Sequence, residues 1–259
     1  MRLRGNLRVG RKTPAELEIM REAGRILARV LAEVAAAAQP GVATEELDKL
    51  AQARLAEAGA APSFLGYRGY PAAICVEIED IVVHGIPGKA KLEAGTILGM
   101  DLGTVYKGWQ ADAAVTIPLG EVDEGRRRLL EVTGRALQAG MGQAKAGKRL
   151  REIAAAVQQV AEEAGFSVVR DLVGHGIGRQ MHEPPQVPNF VAEGQFVEYD
   201  LLLRPGMTLA IEPMINMGGS AVRVDQDGWT VRTVDGKPSA HFEHTVAVGR
   251  EGPQILTLP

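Results

Sequence analysis

The constraint that most narrows the fold is an internal repeat. Gly41 leads into a segment that ends Glu57-Ala58-Gly59, and Gly147 leads into one that ends Glu163-Ala164-Gly165, an offset of 106 residues at both ends. Further on, Leu92-x-x-Gly95-x-x-Leu98-x-x-Asp101 matches Leu203-x-x-Gly206-x-x-Leu209-x-x-Glu212 at an offset of 111. The segments between these marks read alike. Thr13-Pro14-Ala15-Glu16 is a helix start, with a Thr cap, Pro in the first turn and Glu three residues after the cap. Leu17, Met20, Ala23, Ile26, Leu27 and Val30 then follow the helical period, and Pro40-Gly41 stops it. A second helix is predicted over 44–58, capped by Thr44 and closed by Gly59. Strand-like runs follow at 72–78, 96–105 and 110–117. The order restarts with helices at about 123–142 and 149–164, then strands. Two copies of a helix-helix-strand unit are too few for a solenoid. They predict an α+β domain over 13–259 with pseudo-twofold halves at about 13–120 and 121–250, each contributing one acidic strand.

Composition excludes several classes. With 46 % apolar residues the chain can build a sizeable core, and a net charge of -3 makes no general case for nucleic acid or membrane binding. Cys75 is the single cysteine, so no internal disulfide forms, which fits a reducing cytosol. No run of 18 apolar residues exists; the longest candidate, 26–38, carries Arg29 and Glu33. The start, MRLRGNLRVGRK, holds five basic residues and no acid, without a following apolar stretch, so no secretory signal is read there. It reads as a basic arm over 1–12, either solvated or in contact with RNA or another acidic surface.

Within this frame five residues stand out as metal ligands: Asp101, Asp112, His175, Glu212 and Glu243. Each sits in a short apolar or glycine-flanked segment. Converging without cations, the four carboxylates would repel one another and some would protonate. Two divalent cations balance their charge. Asp101 and Asp112 can be placed by geometry: if Lys107-Gly108 forms the loop of a hairpin, Asp112 lies opposite Gly103, on the face that Asp101 shares. The two carboxylates are then diagonal neighbours. Glu212, in Thr208-Leu209-Ala210-Ile211-Glu212, and Glu243, in Phe242-Glu243-His244-Thr245-Val246, each need a cation or an arginine.

His175 lies in Gly174-His175-Gly176-Ile177-Gly178, where glycines permit close backbone approach and unusual dihedrals. A phosphate-cradling loop fits poorly, because Pro184-Pro185 follows where a helix should start. His84 and His182 gain weight from this company. A Cys75 nucleophile has no specific base or electropositive niche in the sequence, and one cysteine makes no zinc finger.

At these residues the chain resembles the type I methionine aminopeptidases, over about 13–248. The matching stretches are Gly66-Tyr67-Arg68-Gly69-Tyr70-Pro71, Val83-His84-Gly85-Ile86-Pro87, Asp101 with Asp112, Gly174-His175-Gly176-Ile177-Gly178-Arg179, Arg204-Pro205-Gly206-Met207-Thr208 through Glu212-Pro213, and Phe242-Glu243-His244-Thr245. The resemblance implies the pita-bread fold, with its halves around a curved antiparallel sheet. It implies two divalent metals, Co, Mn, Fe or Zn, bridged by Asp112 and Glu243. Asp101 completes one site; His175 and Glu212 complete the other. A bridging water or hydroxide is the implied nucleophile, with Glu212 as proton acceptor and donor. His182 is implied on the carbonyl side and His84 at the scissile amide nitrogen. Phe64, Tyr67, Tyr70, Cys75, Met181 and Trp229 line the implied methionine pocket, a soft surface suited to a thioether. Glu79-Asp80 replaces an Asn-containing turn of a monovalent-cation site, Phe64 replaces a smaller residue, and the segment 192–200 is slightly longer than usual.

The implied activity is removal of N-terminal methionine from peptides and nascent chains, preferring a small second residue, by a cytoplasmic monomer with possible ribosome contact. An Xaa-Pro aminopeptidase or dipeptidase of the same superfamily is the second reading. A metal-free binding protein is the third.

Overall fold

A computed structural model describes residues 9–191 and 201–259 of the chain. Most of the basic arm and all of 192–200 therefore lie outside the described residues. The end of the arm is tied down: the Lys12 amide donates to the Gly206 carbonyl at 2.6 Å, and the Lys12 ammonium pairs with Glu183 at 2.8 Å.

The duplication is written into the backbone. The first half opens with helices α1 (Pro14–Ala37) and α2 (Thr44–Glu57), the second with α3 (Glu124–Gln143) and α4 (Leu150–Glu163). Gly41 and Gly147 share a left-handed φ of 92° and 89°, Gly59 and Gly165 of 68° and 82°, and Gly95 and Gly206 of 85° and 88°. These positions favour glycine because a Cβ is strained there. The Gly41 amide donates to Leu92 O, as Gly147 does to Leu203 O. Leu92 donates back to Val42 O, as Leu203 does to Lys148 O.

Both offsets read from the sequence recur in these bonds. One assignment fails. The cap of α2 is Ala43, without a side-chain bond, and Thr44 is the first helical residue. Its hydroxyl instead donates to Gly88 O at 3.1 Å and accepts from Gly88 N at 2.8 Å. A long-range partner has outcompeted the local cap.

Helix α1 forms as its signals dictate: Thr13 and Glu16 make a reciprocal capping box, a motif worth about 1 kcal/mol. Its apolar stripe is buried from Met20 to Val34 against the hairpin of β4 (Ile97–Tyr106) and β5 (Trp109–Pro118). Gly24 lies on this stripe, where an added Cβ would stand 2.1 Å from the Leu256 carbonyl oxygen. Helix propensity favours Gly24→Ala by roughly 1 kcal/mol, but a rigid backbone clash of this kind costs about 1–3 kcal/mol. The clash is expected to win, lowering Tm. Gly134→Ala on α3, with open space around the Cβ, is expected to raise Tm slightly; thermal unfolding of both variants checks the pair.

Strand β4 also carries β1 (Ala61–Pro62) and β2 (Ile74–Ile78). In the second half β9 (Thr208–Ile211) pairs with β7 (Gly174–Gly176) and β14 (His244–Ala247); β8 (Glu183–Val187) and β15 (Gln254–Ile255) lie at the edges. Two smaller antiparallel sheets join β3 (Ile81–Val83) with β11 (Val222–Val224) and β12 (Val231–Thr233), and β6 (Ser167–Val168) with β10 (Met214–Asn216) and β13 (Ser239–His241). The two halves meet along a seam of β5 against the run from His241 to Thr245. There Ala114 and Glu243 exchange backbone hydrogen bonds. The Asp112 amide donates to Thr245 Oγ1, and that hydroxyl donates to Asp112 O. Thr116 and His241 make the same reciprocal pair. The apolar cores lie outside this seam, one under α1 and α2, another under α3 and α4, so the acids face inward between the halves.

Candidate metal centre

Position follows from register. The β4–β5 loop is Lys107-Gly108, both in left-handed backbone and hence a hairpin turn of the favoured twist. Gly103 pairs with Asp112, and Asp101 with Ala114, so the two carboxylates share a face. Cys75 stands opposite Asp101 and Glu77 opposite Gly99, which brings those side chains to the same face. Glu212 follows β9 and Glu243 precedes β14, with His244 paired to Ile211.

His175 reaches the cluster from β7. Its flanking glycines serve close packing: a Cβ on Gly174 would meet Ala210 O at 2.4 Å, and one on Gly176 would meet Pro184 O at 2.3 Å. Neither has a positive φ, so of the two reasons for glycine here, approach applies and unusual dihedrals do not. His175 Nδ1 faces the Gly176 carbonyl at 2.9 Å, which leaves Nε2 toward the acids, 3.6 Å from Glu212 and 3.9 Å from Asp112. His84 sits at a φ of 60°, uncommon for a residue with a side chain and the kind of local strain found at functional sites. His182 stacks on Tyr67 and accepts or donates at 2.9 Å to its hydroxyl.

All thirteen residues singled out from the sequence line one cavity of about 210 Å³. Phe64, Tyr70, Cys75 and Met181, with Tyr67 and Trp229, form an apolar cluster along one wall; Gly103 leaves room for the Phe64 ring, 2.8 Å from where a Cβ would stand. The acids line the same cavity, with Asp101 beside Cys75 on the shared sheet face. The sequence reading missed two buried residues beside these acids, neither of which lines the cavity. Glu77 and His241 form a group of possible ligands with Asp101, beside the group of Asp112, His175 and Glu243. The signal was available: Glu77 is a lone acid in Ile74-Cys75-Val76-Glu77-Ile78, and His241 stands two residues before Glu243. Glu79, by contrast, is taken up by Arg126, whose Nε lies 2.9 Å from it.

The electrostatics are those of a site suited to cations. Burial raises the pKa of Asp101 and Glu243, reinforced by Asp112 and the neighbouring acids. Burial also pushes Asp112 up to about 6 and Glu212 up to about 8. The His175 and His84 imidazoles are driven down by burial, to about 3 and about 4, and so are neutral and able to ligate. The Cys75 thiol is pushed up by burial, against nucleophilic use. Among the described residues, Asp101 Oδ1, Asp112 Oδ1 and Glu243 Oε1 are buried with no hydrogen-bond partner. Orphaned carboxylate oxygens with a neutral imidazole suit divalent first-row cations.

A fold of two related halves, with carboxylates from both meeting an imidazole at the seam, defines a dinuclear metallohydrolase. Comparison with known proteins agrees. The family model of metallopeptidase family M24 matches residues 18–250. The chain is 46% identical to "Methionine aminopeptidase 1" of Bacillus subtilis over 246 residues, covering 95% of this chain and 98% of that one. The crystal structure of methionine aminopeptidase from Thermotoga maritima superposes with a TM-score of 0.93 at 42% identity, covering 97% of this chain and 100% of that one. The chain belongs to metallopeptidase family M24 and, within it, to the methionine aminopeptidases. The Xaa-Pro dipeptidase from Bacillus anthracis shares the fold, with a TM-score of 0.77 at 24% identity, and this chain covers 62% of its length. Among the described residues no helix is long and apolar enough to cross a membrane.

Proposed function

We propose that the protein hydrolyses the peptide bond after an N-terminal methionine, preferring a small second residue, with Asp101, Asp112, His175, Glu212 and Glu243 holding two divalent cations. The observation that supports this most is the juxtaposition in one cavity of a thioether-sized apolar wall and a wall of unsatisfied carboxylates. Asp112 and Glu243 lie at the seam and would be the ligands shared by both cations; Asp101 would complete one site, and His175 with Glu212 the other. Bound divalent cations supply Lewis acidity and lower the pKa of water.

The rest is done by side chains. Phe64, Tyr70, Cys75 and Met181 enclose the methionine side chain, and Tyr67 and Trp229 flank it. Glu212 accepts the proton of the attacking water and delivers it to the leaving amine. His182 hydrogen-bonds the scissile carbonyl side, held by the Tyr67 hydroxyl. His84 meets the scissile amide nitrogen. A bulky second residue would be crowded beside bound cations, which would set the size preference. The basic segment before Thr13 gives positive charge for contact with a ribosome, and the enzyme acts as a cytoplasmic monomer on nascent chains.

The test is release of free methionine by metal-stripped protein with Co2+ or Mn2+ added back. Met-Ala-Ser is expected to be cleaved only with metal, Met-Leu-Ser far more slowly, and Ala-Pro-Ala not at all. Cleavage of Ala-Pro-Ala in preference to Met-Ala-Ser would move the protein to the proline peptidases. Folded protein that takes up no divalent metal would be a binding protein only.

A further inference from the structure

We propose that His241, oriented by Glu77, is a positioning residue that holds the Glu212 carboxylate; this rests on the reading of Glu212 as ligand and proton carrier. Both residues are almost fully enclosed, Glu77 at 2 % and His241 at 1 % exposure. His241 Nδ1 lies 3.1 Å from Glu77 Oε1, and its Nε2 lies 3.7 Å from Glu212 Oε2. The other oxygen of Glu212 faces His175 at 3.6 Å. Glu212 is thus bracketed by two imidazoles, one per oxygen.

The placement is rigid at each step. The backbone of His241 is clamped by Thr116, which donates to its carbonyl at 2.7 Å and accepts from its amide at 3.0 Å. It also pairs with Met214, two residues after Glu212. Glu77 fits only because Gly99 lacks a Cβ, which would stand 2.2 Å from Glu77 Oε2. With Nδ1 engaged by Glu77, Nε2 is the free ring nitrogen, and it has no hydrogen-bond partner among the described residues.

Packing alone does not call for this pair. A buried acid and histidine are expensive to desolvate, and two apolar side chains of similar volume would serve a core as well or better. What the pair adds is direction. A carboxylate that must both ligate and shuttle a proton needs its rotamer fixed. Partners behind a metal ligand of this sort are worth roughly 10–100-fold in metal affinity or activity.

Two substitutions separate the ends of the ring. His241→Gln puts an amide near the Nε2 position and keeps a donor toward Glu212. His241→Asn puts its amide near Nδ1, keeps Glu77 satisfied and leaves Glu212 unheld. With Co2+-loaded protein, the Gln variant is expected to stay close to wild type in kcat for Met-Ala-Ser and in Co2+ affinity by calorimetry. The Asn variant is expected to lose about 10–100-fold in kcat with KM little changed, weaken one Co2+ equivalent on the same scale, and alter the visible Co2+ spectrum. An Asn variant equal to wild type in kcat, affinity and spectrum overturns the proposal. So does a Gln variant that loses as much as Asn, a result sufficient on its own. If wild-type protein binds Co2+ yet releases no methionine, the aminopeptidase reading fails; the Co2+ affinities and spectra of the two variants still decide the role of His241.

Discussion

Glu212→Gln is expected to lower kcat for Met-Ala-Ser by about 10²–10⁴-fold, the range for loss of a general acid-base group. A thousandfold loss corresponds to roughly 4 kcal/mol of transition-state stabilisation. The substitution keeps the volume of the side chain and its place between His175 and His241, so it removes charge and proton capacity while disturbing little else. The proposed function gives Glu212 two duties, and they respond differently to metal. Weakened ligation is corrected by raising Co2+ or Mn2+ until kcat stops increasing. The lost proton carrier is not. A kcat still depressed a hundredfold or more at saturating metal is the expected result, with KM little changed because Phe64, Tyr70, Cys75 and Met181, the residues proposed to enclose methionine, are unaltered. Recovery to within tenfold of wild type at high metal would reduce Glu212 to a ligand and require another group to carry the proton. Asp112→Asn is the useful contrast: its loss should be dominated by metal affinity and should respond more to added cation.

Much of this site was legible in the sequence because it depends on local rules. A left-handed φ favours glycine, so Gly41, Gly95, Gly147 and Gly206 mark the duplication in the sequence itself. A two-residue loop fixes strand register, so Lys107-Gly108 placed Asp112 opposite Gly103. Acids inside apolar strands mark themselves. What stayed hidden depends on partners far along the chain. Thr44 looked like a cap and instead bonds Gly88, 44 residues on. His241 bonds Glu77 across 164 residues, and nothing in either local sequence names the other. The signal for Glu77 was the same lone acid in an apolar strand that identified Asp101. A single buried acid has an ordinary explanation, a salt bridge, until its partner is seen. The meaning of the glycines around His175 was likewise half readable: need for a missing Cβ was clear, but whether dihedral or neighbour required it was a matter of tertiary packing.

The metal-free and metal-loaded proteins are expected to respond oppositely to pH between about 6.5 and 8. Without cations, burial raises the pKa of Asp101 and Glu243 and brings Glu212 up to about 8. In this window the folded state keeps protons that the unfolded chain has lost. Stability changes with pH as the protons bound unfolded minus those bound folded, so it falls as pH rises. A single such carboxyl contributes up to about 1.4 kcal/mol per pH unit. His241, raised by Glu77 and the other acids against the opposing effect of burial, acts in the same direction. His175, His84, His182 and His244, all lowered by burial, act the other way below and around the ordinary histidine value, near pH 6.5, and fade toward pH 8.

With Mn2+ or Co2+ present the ligands must be deprotonated, so affinity strengthens with pH. The stabilisation from binding reaches about 2.7 kcal/mol when free metal is 100 times Kd. Thermal unfolding at pH 6.5, 7.2 and 8 should show Tm falling with pH in the chelated protein, by about 2–4 °C for each kcal/mol in a chain of this size. The metal-loaded protein should hold or gain. Glu212→Gln should flatten the metal-free slope, because it replaces one of the groups that creates it. Parallel curves with and without metal would mean that these carboxylates are not the cation ligands, whatever the protein does to methionine peptides.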